Sequence, residues 1–264
     1  MLKILLIGHF IGDYYLQFNI IQKNKSKWLW LVLHSLIYAF IMTLCFSIYQ
    51  HSWWIIVLFT IFFASHLLVD KSKYLLEKHF YKSNHKIGLM IYIVDQLIHI
   101  AIVVGVTWFF SKNNLNNFGK WIYCITRYFK IKNFAGIVLA TVIIFLPTST
   151  FIVKLFDDLP KSKNEDKEVL MISTDTLKCN DSVMVTNSVQ TADIKTGKII
   201  GYLERFIILI FFIAELHGLI GLVLTAKSLA RFKQFEDKYF AEKFLIGTLL
   251  SLVITILTIM MCEI

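Results

Sequence analysis

Apolar residues gather in seven runs, at about 2–20, 28–49, 53–70, 88–110, 134–155, 199–226 and 244–262, with polar, lysine-rich segments between them. A helix needs about 20 mostly apolar residues to cross a bilayer. The pattern therefore predicts an all-α polytopic transmembrane helical bundle of about six or seven spans. The first run, "MLKILLIGHFIGDYYLQFNI", is less apolar than the others and reads either as a span or as a re-entrant or interfacial helix. "QKNKSK" (22–27) and the segment from Lys71 to Lys86, with five lysines against one glutamate, are expected on the cytoplasmic side. "KWIYCITRYFKIKN" (120–133) mixes aromatics with cations as an interfacial helix does. Residues 157–198 form the long polar segment, in which "EVLMIST" and "SVMVTNS" are compatible with a small β-hairpin outside the membrane. The expected organisation is an N-terminal bundle (1–156), this extramembrane segment or linker (157–198) and C-terminal transmembrane helices with a basic loop (199–264).

Composition narrows the class. The chain has 264 residues, 57% of them hydrophobic, with two prolines and a formal charge of +9. Its Lys and Arg sit between the apolar runs, the usual pattern of cytoplasmic loops, so no nucleic-acid partner is expected. Cys45, Cys124, Cys179 and Cys262 are far apart and form no C-x-x-C pair, which argues against a zinc knuckle or a disulfide framework. No small-residue cleavage site follows the first run, so it is expected to remain in the mature protein.

The candidate chemistry lies inside the apolar runs. "HFIGD" contains His9 and Asp13, "HLLVD" contains His66 and Asp70, and "DQLIH" contains Asp95 and His99. Residues four apart share a helix face. The second run adds His34 in "VLHSLIY". Counting about 1.5 Å per residue from the lysine-rich segments, Asp13, His34, His66 and Asp95 reach a common layer about 7–10 Å deep. Asp70 lies nearer the surface on this count, and His9 and His99 lie deeper. Ionisable groups in lipid are costly unless they face the bundle interior and find partners. Imidazole and carboxylate together are ligands for Zn, Mn or Fe. The metal reading makes His9, Asp13, His66, Asp70, Asp95 and His99 ligands of one or two divalent ions, with His34 a ligand or catalytic base. Two other readings share the residues: a metal-free hydrogen-bond network, and a proton or ion path. Gln17 extends the first stripe as an accessory residue. Lys73, at the cytoplasmic mouth, either attracts a lipid phosphate or snorkels to the interface. Glu215 and His217 in "IAELHGLIG" form a weaker second candidate, and His51, His79 and His85 read as loop residues.

"GHFIGDYYLQ" with "NK" shortly after it, "LHSLIY", "HLLVDKSK" and "DQLIH" together resemble a bacterial family of integral membrane proteins catalogued as domain of unknown function 3307. The resemblance continues through "GKIIGYLERFIIL", "AKSLARF" and "FLIGTLLS". It implies a multi-pass protein of the bacterial inner or plasma membrane, and it brings no activity with it. A looser similarity is to membrane-bound metal-dependent hydrolases that carry His and Asp on successive transmembrane helices. The resulting expectation is hydrolysis of a lipid-like ester or phosphoester near the cytoplasmic leaflet, the partners being the bilayer and a lipid-phosphate substrate. Its rivals are a proton- or ion-coupled transporter and a non-catalytic subunit that docks a membrane or cytoplasmic protein. No nucleotide-binding glycine loop, Ser-His-Asp motif or haem-attachment motif is present.

Overall fold

The computed structural model describes residues 1–17, 27–49, 53–80, 86–110, 133–157, 197 and 199–262. Among these, all regular structure is helical. Helix α1 covers Leu2–Phe10 and runs into a π-helical turn, Ile11–Tyr15. Then come α2 (Trp28–Ser47), α3 (Trp54–Phe80), α4 (Lys86–Phe109) and α5 (Phe134–Asp157). Helix α6 covers 199–213 and α7 Gly218–Ala230, followed by a 3₁₀ turn, Phe232–Glu236, and α8 (Lys238–Met261).

Five of these helices, α2, α3, α4, α5 and α8, are long and apolar enough to cross a membrane. Helix α1 with its π turn is shorter, rising only about 21 Å against a hydrocarbon core of about 30 Å. Three expectations change. The run 199–226 is two helices, because Glu215 takes a left-handed backbone (φ 60°). Leu216 N–H donates to the Phe211 carbonyl at 2.8 Å and Glu215 N–H to that of Phe212 at 3.1 Å, the paired bonds of a helix C-terminal stop. Helix α3 continues ten residues past Asp70, since "KSKYLLEKHF" holds no Gly or Pro and its Lys, Leu and Glu favour helix. Helix α8 starts earlier than expected, at Lys238, where the Asp237 carboxylate accepts from Tyr239 N–H at 2.9 Å. The interfacial segment 120–133, apart from Asn133, and the hairpin proposed within 157–198 lie outside the described residues.

The chain divides into two compact units, Met1–Pro147 with Thr258–Ile264, and Thr148–Leu257. In the first, α1 to α4 pack around Leu5, Tyr38, Met42, Phe46, Leu58, Phe62 and Val103, all buried. Lys3 Nζ donates to Asn133 Oδ1 (3.0 Å) and to the Cys262 carbonyl (3.2 Å), which ties α1 to the start of α5 and the end of α8. Large apolar side chains such as Phe40, Leu68, Leu97 and Trp108 point outward, while the buried positions include three aspartates and four histidines. Apolar outside and polar inside is the distribution of a protein solvated by lipid.

In the second unit, α6 and α7 form an antiparallel hairpin. The turn at 214–217 reverses the chain, and Lys227 Nζ meets Glu204 Oε2 at 2.6 Å across it.

Candidate metal centre

Helix α1 meets α2 through two small residues. A Cβ on Gly8 would lie 2.8 Å from Cys45 Sγ, and one on Gly12 would lie 2.9 Å from the Tyr38 ring. Side chains at either position would push the helices apart. The π turn holds Gly12 and Asp13, and both are buried. It widens the helix at the residue that must reach across to α2, a common use of such turns at functional sites.

All seven predicted His and Asp residues are buried in this unit: His9, His34 and His66 at 0%, His99 at 2%, Asp70 and Asp95 at 3%, Asp13 at 9% exposure. Asp70, expected nearer the surface, is thus as enclosed as the others. The closest polar contacts run between helices more than along them. Asp13 Oδ1 lies 3.6 Å from His34 Nε2, and Asp70 Oδ2 lies 3.9 Å from His34 Nε2 and 4.0 Å from His66 Nε2. Donor atoms of Asp13, His34 and His66 fall within 4.8 Å of one another, as do those of His66, Asp70 and His99. These groups can hold a metal ion, and His66 belongs to both.

The remaining predicted residues surround this pair of triads. Asp95 Oδ2 receives Lys73 Nζ at 2.6 Å and the Gln96 amide at 3.1 Å, while Asp95 Oδ1 is buried with no hydrogen-bond partner. Gln96 also donates to Asp13 Oδ2 at 2.8 Å, linking the two carboxylates. His9 Nδ1 pairs with the Tyr38 hydroxyl at 3.1 Å, and the Tyr38 ring stacks on His66 at 3.9 Å. Gln17 Nε2 lies 3.4 Å from His34 Nε2. The hydroxyls of Tyr14 and Tyr92 hydrogen-bond to each other.

Proton positions follow from these partners when the rings are neutral. His99 Nδ1 faces the Asp95 backbone carbonyl at 2.9 Å, and a carbonyl only accepts, so this nitrogen carries the proton. His99 Nε2 then has a lone pair and accepts from His66 Nδ1 at 2.6 Å. His66 Nε2 is left with a bare lone pair, buried and without a hydrogen-bond partner. His34 Nε2 lies 3.4 Å from the Gln17 amide nitrogen, and His34 Nδ1 is buried with no hydrogen-bond partner. Two imidazole nitrogens, His34 Nε2 and His66 Nε2, thus stand beside the carboxylates of Asp13 and Asp70 in a buried space. Carboxylates gathered with imidazoles in a buried space are balanced by protons on the rings or by a cation among them. Tetrahedral ligands about 2.1 Å from an ion stand about 3.4 Å apart, and the three separations Asp13–His34, His34–Asp70 and His66–Asp70 are 3.6, 3.9 and 4.0 Å. The donor set fits a divalent cation.

Glu215 and His217 are both exposed, and the His217 ring lies 4.7 Å from that of Phe212. His79 is exposed at the end of α3. His51 and His85 lie outside the described residues. The spacing argument missed Gln96, Tyr38 and the glycines. Each had a signal: Gln96 adjoins Asp95 in "DQLIH", Tyr38 follows His34 by four in "LHSLIY", and "GHFIG" is a G-x-x-x-G helix-packing motif.

Residues 1–125 match a family model described as "Protein of unknown function (DUF3307)", a stretch that contains α1 to α4 and every residue of the cluster. No curated protein and no solved structure matches the chain.

Proposed function

We propose that the cluster, which lies within the residues 1–125 that match that family model, holds one divalent cation and hydrolyses a membrane-embedded ester or phosphoester. The observation that carries the reading is the approach of the His34 and His66 ring nitrogens to the Asp13 and Asp70 carboxylates in a buried space, with two triads whose donor atoms lie within 4.8 Å of one another. His34, His66, Asp13 and Asp70 are the ligands. His99 holds His66 in the ligating tautomer, as a hydrogen bond to the far nitrogen of a metal-bound imidazole does. Asp95, neutralised by Lys73, anchors His99 through its backbone carbonyl and is not a ligand. Lys73 serves Asp95 first and a lipid headgroup second.

A cation at this position supplies Lewis acidity and an activated water. Four protein donors saturate zinc, whereas manganese or iron takes six ligands and leaves two positions for water and substrate. The hydrolytic reading therefore favours manganese or iron. His9, whose Nε2 is buried and unpartnered, is the nearby base available to accept a proton. The enclosing aliphatic and aromatic side chains keep bulk water out, in keeping with a substrate that enters from the lipid.

The experiment is metal analysis by mass spectrometry of the purified, metal-replete protein beside His66→Ala and Asp70→Asn, each checked for helix content. The expected result is one ion per chain, lost in both folded variants, with phosphate released from phosphatidic acid by the loaded protein only. A folded, metal-free wild type would overturn the reading. One observation favours a second reading in that event. The chain from His66 through His99 to the Asp95 carbonyl is unbroken, so protons on His34 and His66 would satisfy the same carboxylates as a relay or structural network.

A further inference from the structure

The second unit contains a cavity of about 340 Å³ that the metal centre does not use. It is an open pocket lined by the end of α5, the hairpin α6 and α7, and the first half of α8. Arg205, on α6, lines it and is only 3% exposed. One guanidinium nitrogen, Nη1, donates to Ser251 Oγ at 3.2 Å, and the group lies over the Tyr202 ring at 5.4 Å. Nε and Nη2 are buried with no partner. Arginine keeps its charge inside proteins, so this is a buried cation with the edge that suits an oxyanion left open.

The neighbouring carboxylate does not fill that edge. Glu204 is committed to Lys227, 2.6 Å away. Arg231 and Lys243 also line the cavity, so four cations face one carboxylate. A second unsatisfied group, Thr248 Oγ1, lines the same space. The polar end is roomy because Gly201 stands beside the guanidinium, where a Cβ would come within 3.4 Å of Arg205 Nη1. The walls are apolar, formed by side chains such as Ile152, Phe156 and Phe244. A greasy chamber with an open guanidinium edge matches a phosphate that carries, or is free of, an apolar tail.

We infer that this cavity binds a phosphate or phosphate ester, with Arg205 Nε and Nη2 donating to two of its oxygens and Thr248 Oγ to a third. Arg231, Lys227 and Lys243 hold the anion by charge. Bidentate pairing of this kind is the strong form of arginine recognition. The ligand is a phospholipid headgroup or a soluble phosphate, and the site stands whether or not the metal centre is hydrolytic.

The test uses the full-length protein in phosphatidylcholine nanodiscs. Its unfolding temperature is followed against inorganic phosphate, with chloride at matched ionic strength as control, and in separate discs containing phosphatidic acid. A rise with either phosphate probe is expected, since a ligand that binds only the folded state stabilises it. A response to inorganic phosphate identifies a soluble anion; a response to phosphatidic acid alone identifies a headgroup. Arg205→Leu should abolish the response, and Arg205→Lys, which loses the fork, should weaken apparent affinity about tenfold. Should Arg205→Leu not fold, Arg231→Gln with Lys243→Gln should weaken binding several-fold. Wild type indifferent to both probes, or a folded Arg205→Leu that responds like wild type, would overturn the proposal.

Discussion

Replacing Lys73 by methionine tests whether Asp95 is held by lysine or by a metal. The ammonium lies 2.6 Å from Asp95 Oδ2, the two side chains being 18% and 2% exposed. Removing one partner of a buried ion pair costs about 3–5 kcal/mol, because the other charge is left uncompensated. The Gln96 amide still donates to the same carboxylate oxygen, which puts Lys73→Met near the lower bound, about 3 kcal/mol. Asp95→Asn should cost less, about 1–2 kcal/mol, since the partly exposed lysine can turn its head toward water. Removing both leaves no stranded charge, and the double variant should recover about 2 kcal/mol relative to the sum of the singles. Reversible unfolding in mixed detergent micelles, followed by helix content, measures all four proteins. The double variant should also keep its full metal content, because neither residue is a ligand in the proposed site. A coupling below about 0.5 kcal/mol, or loss of metal in the folded double variant, would refute the reasoning.

Three further outcomes follow from the same contacts. Gly12→Ala should destabilise by about 1–3 kcal/mol, because its methyl meets the Tyr38 ring, itself stacked on His66; Gly8→Ala, which meets a rotatable Cys45 thiol, should cost less in the same unfolding assay. Tyr38→Phe removes the partner of His9 Nδ1 and keeps the stack, so it should cost about 1 kcal/mol and leave metal content unchanged by mass spectrometry. His99→Ala should weaken metal affinity about 10- to 100-fold by freeing the His66 tautomer, whereas His66→Ala should abolish binding; accordingly a chelator should lower the unfolding temperature of wild type and not that of His66→Ala.

How far the sequence could be read depends on the range of the interactions involved. Apolar runs mark helices through local composition alone, so α2, α4 and α5 fall close to their expected bounds. The break at 214–217 was hidden because the left-handed stop is occupied by Glu215, where a glycine would have announced it. The H-x-x-x-D spacing identified which side chains face inward, a property of one helix at a time. It could not say which residues touch. His9 and Asp13 are four apart, yet Asp13 finds its partners in His34 on α2 and Gln96 on α4, and the intervening π turn shifts the register that simple counting assumes. Lys73 follows the same logic: on its own helix it reads as a lysine snorkelling to the interface, and only α4 supplies the carboxylate that draws it inward.

The step from cluster to ligand set lies further still from sequence, since it turns on where protons sit. Four histidines and three aspartates are chemically equivalent candidates until their neighbours are known. The Asp95 carbonyl begins to break that equivalence, because it only accepts and so sets the tautomers of His99 and His66 when both rings are neutral. On the proposed reading His66 Nε2 and His34 Nε2 face Asp70 and Asp13, while Lys73 takes Asp95 Oδ2. On that reading the seven candidates resolve into four ligands, one orienting histidine, one neutralised anchor and one base. The function of the centre then depends on the coordination number of the ion these four ligands select.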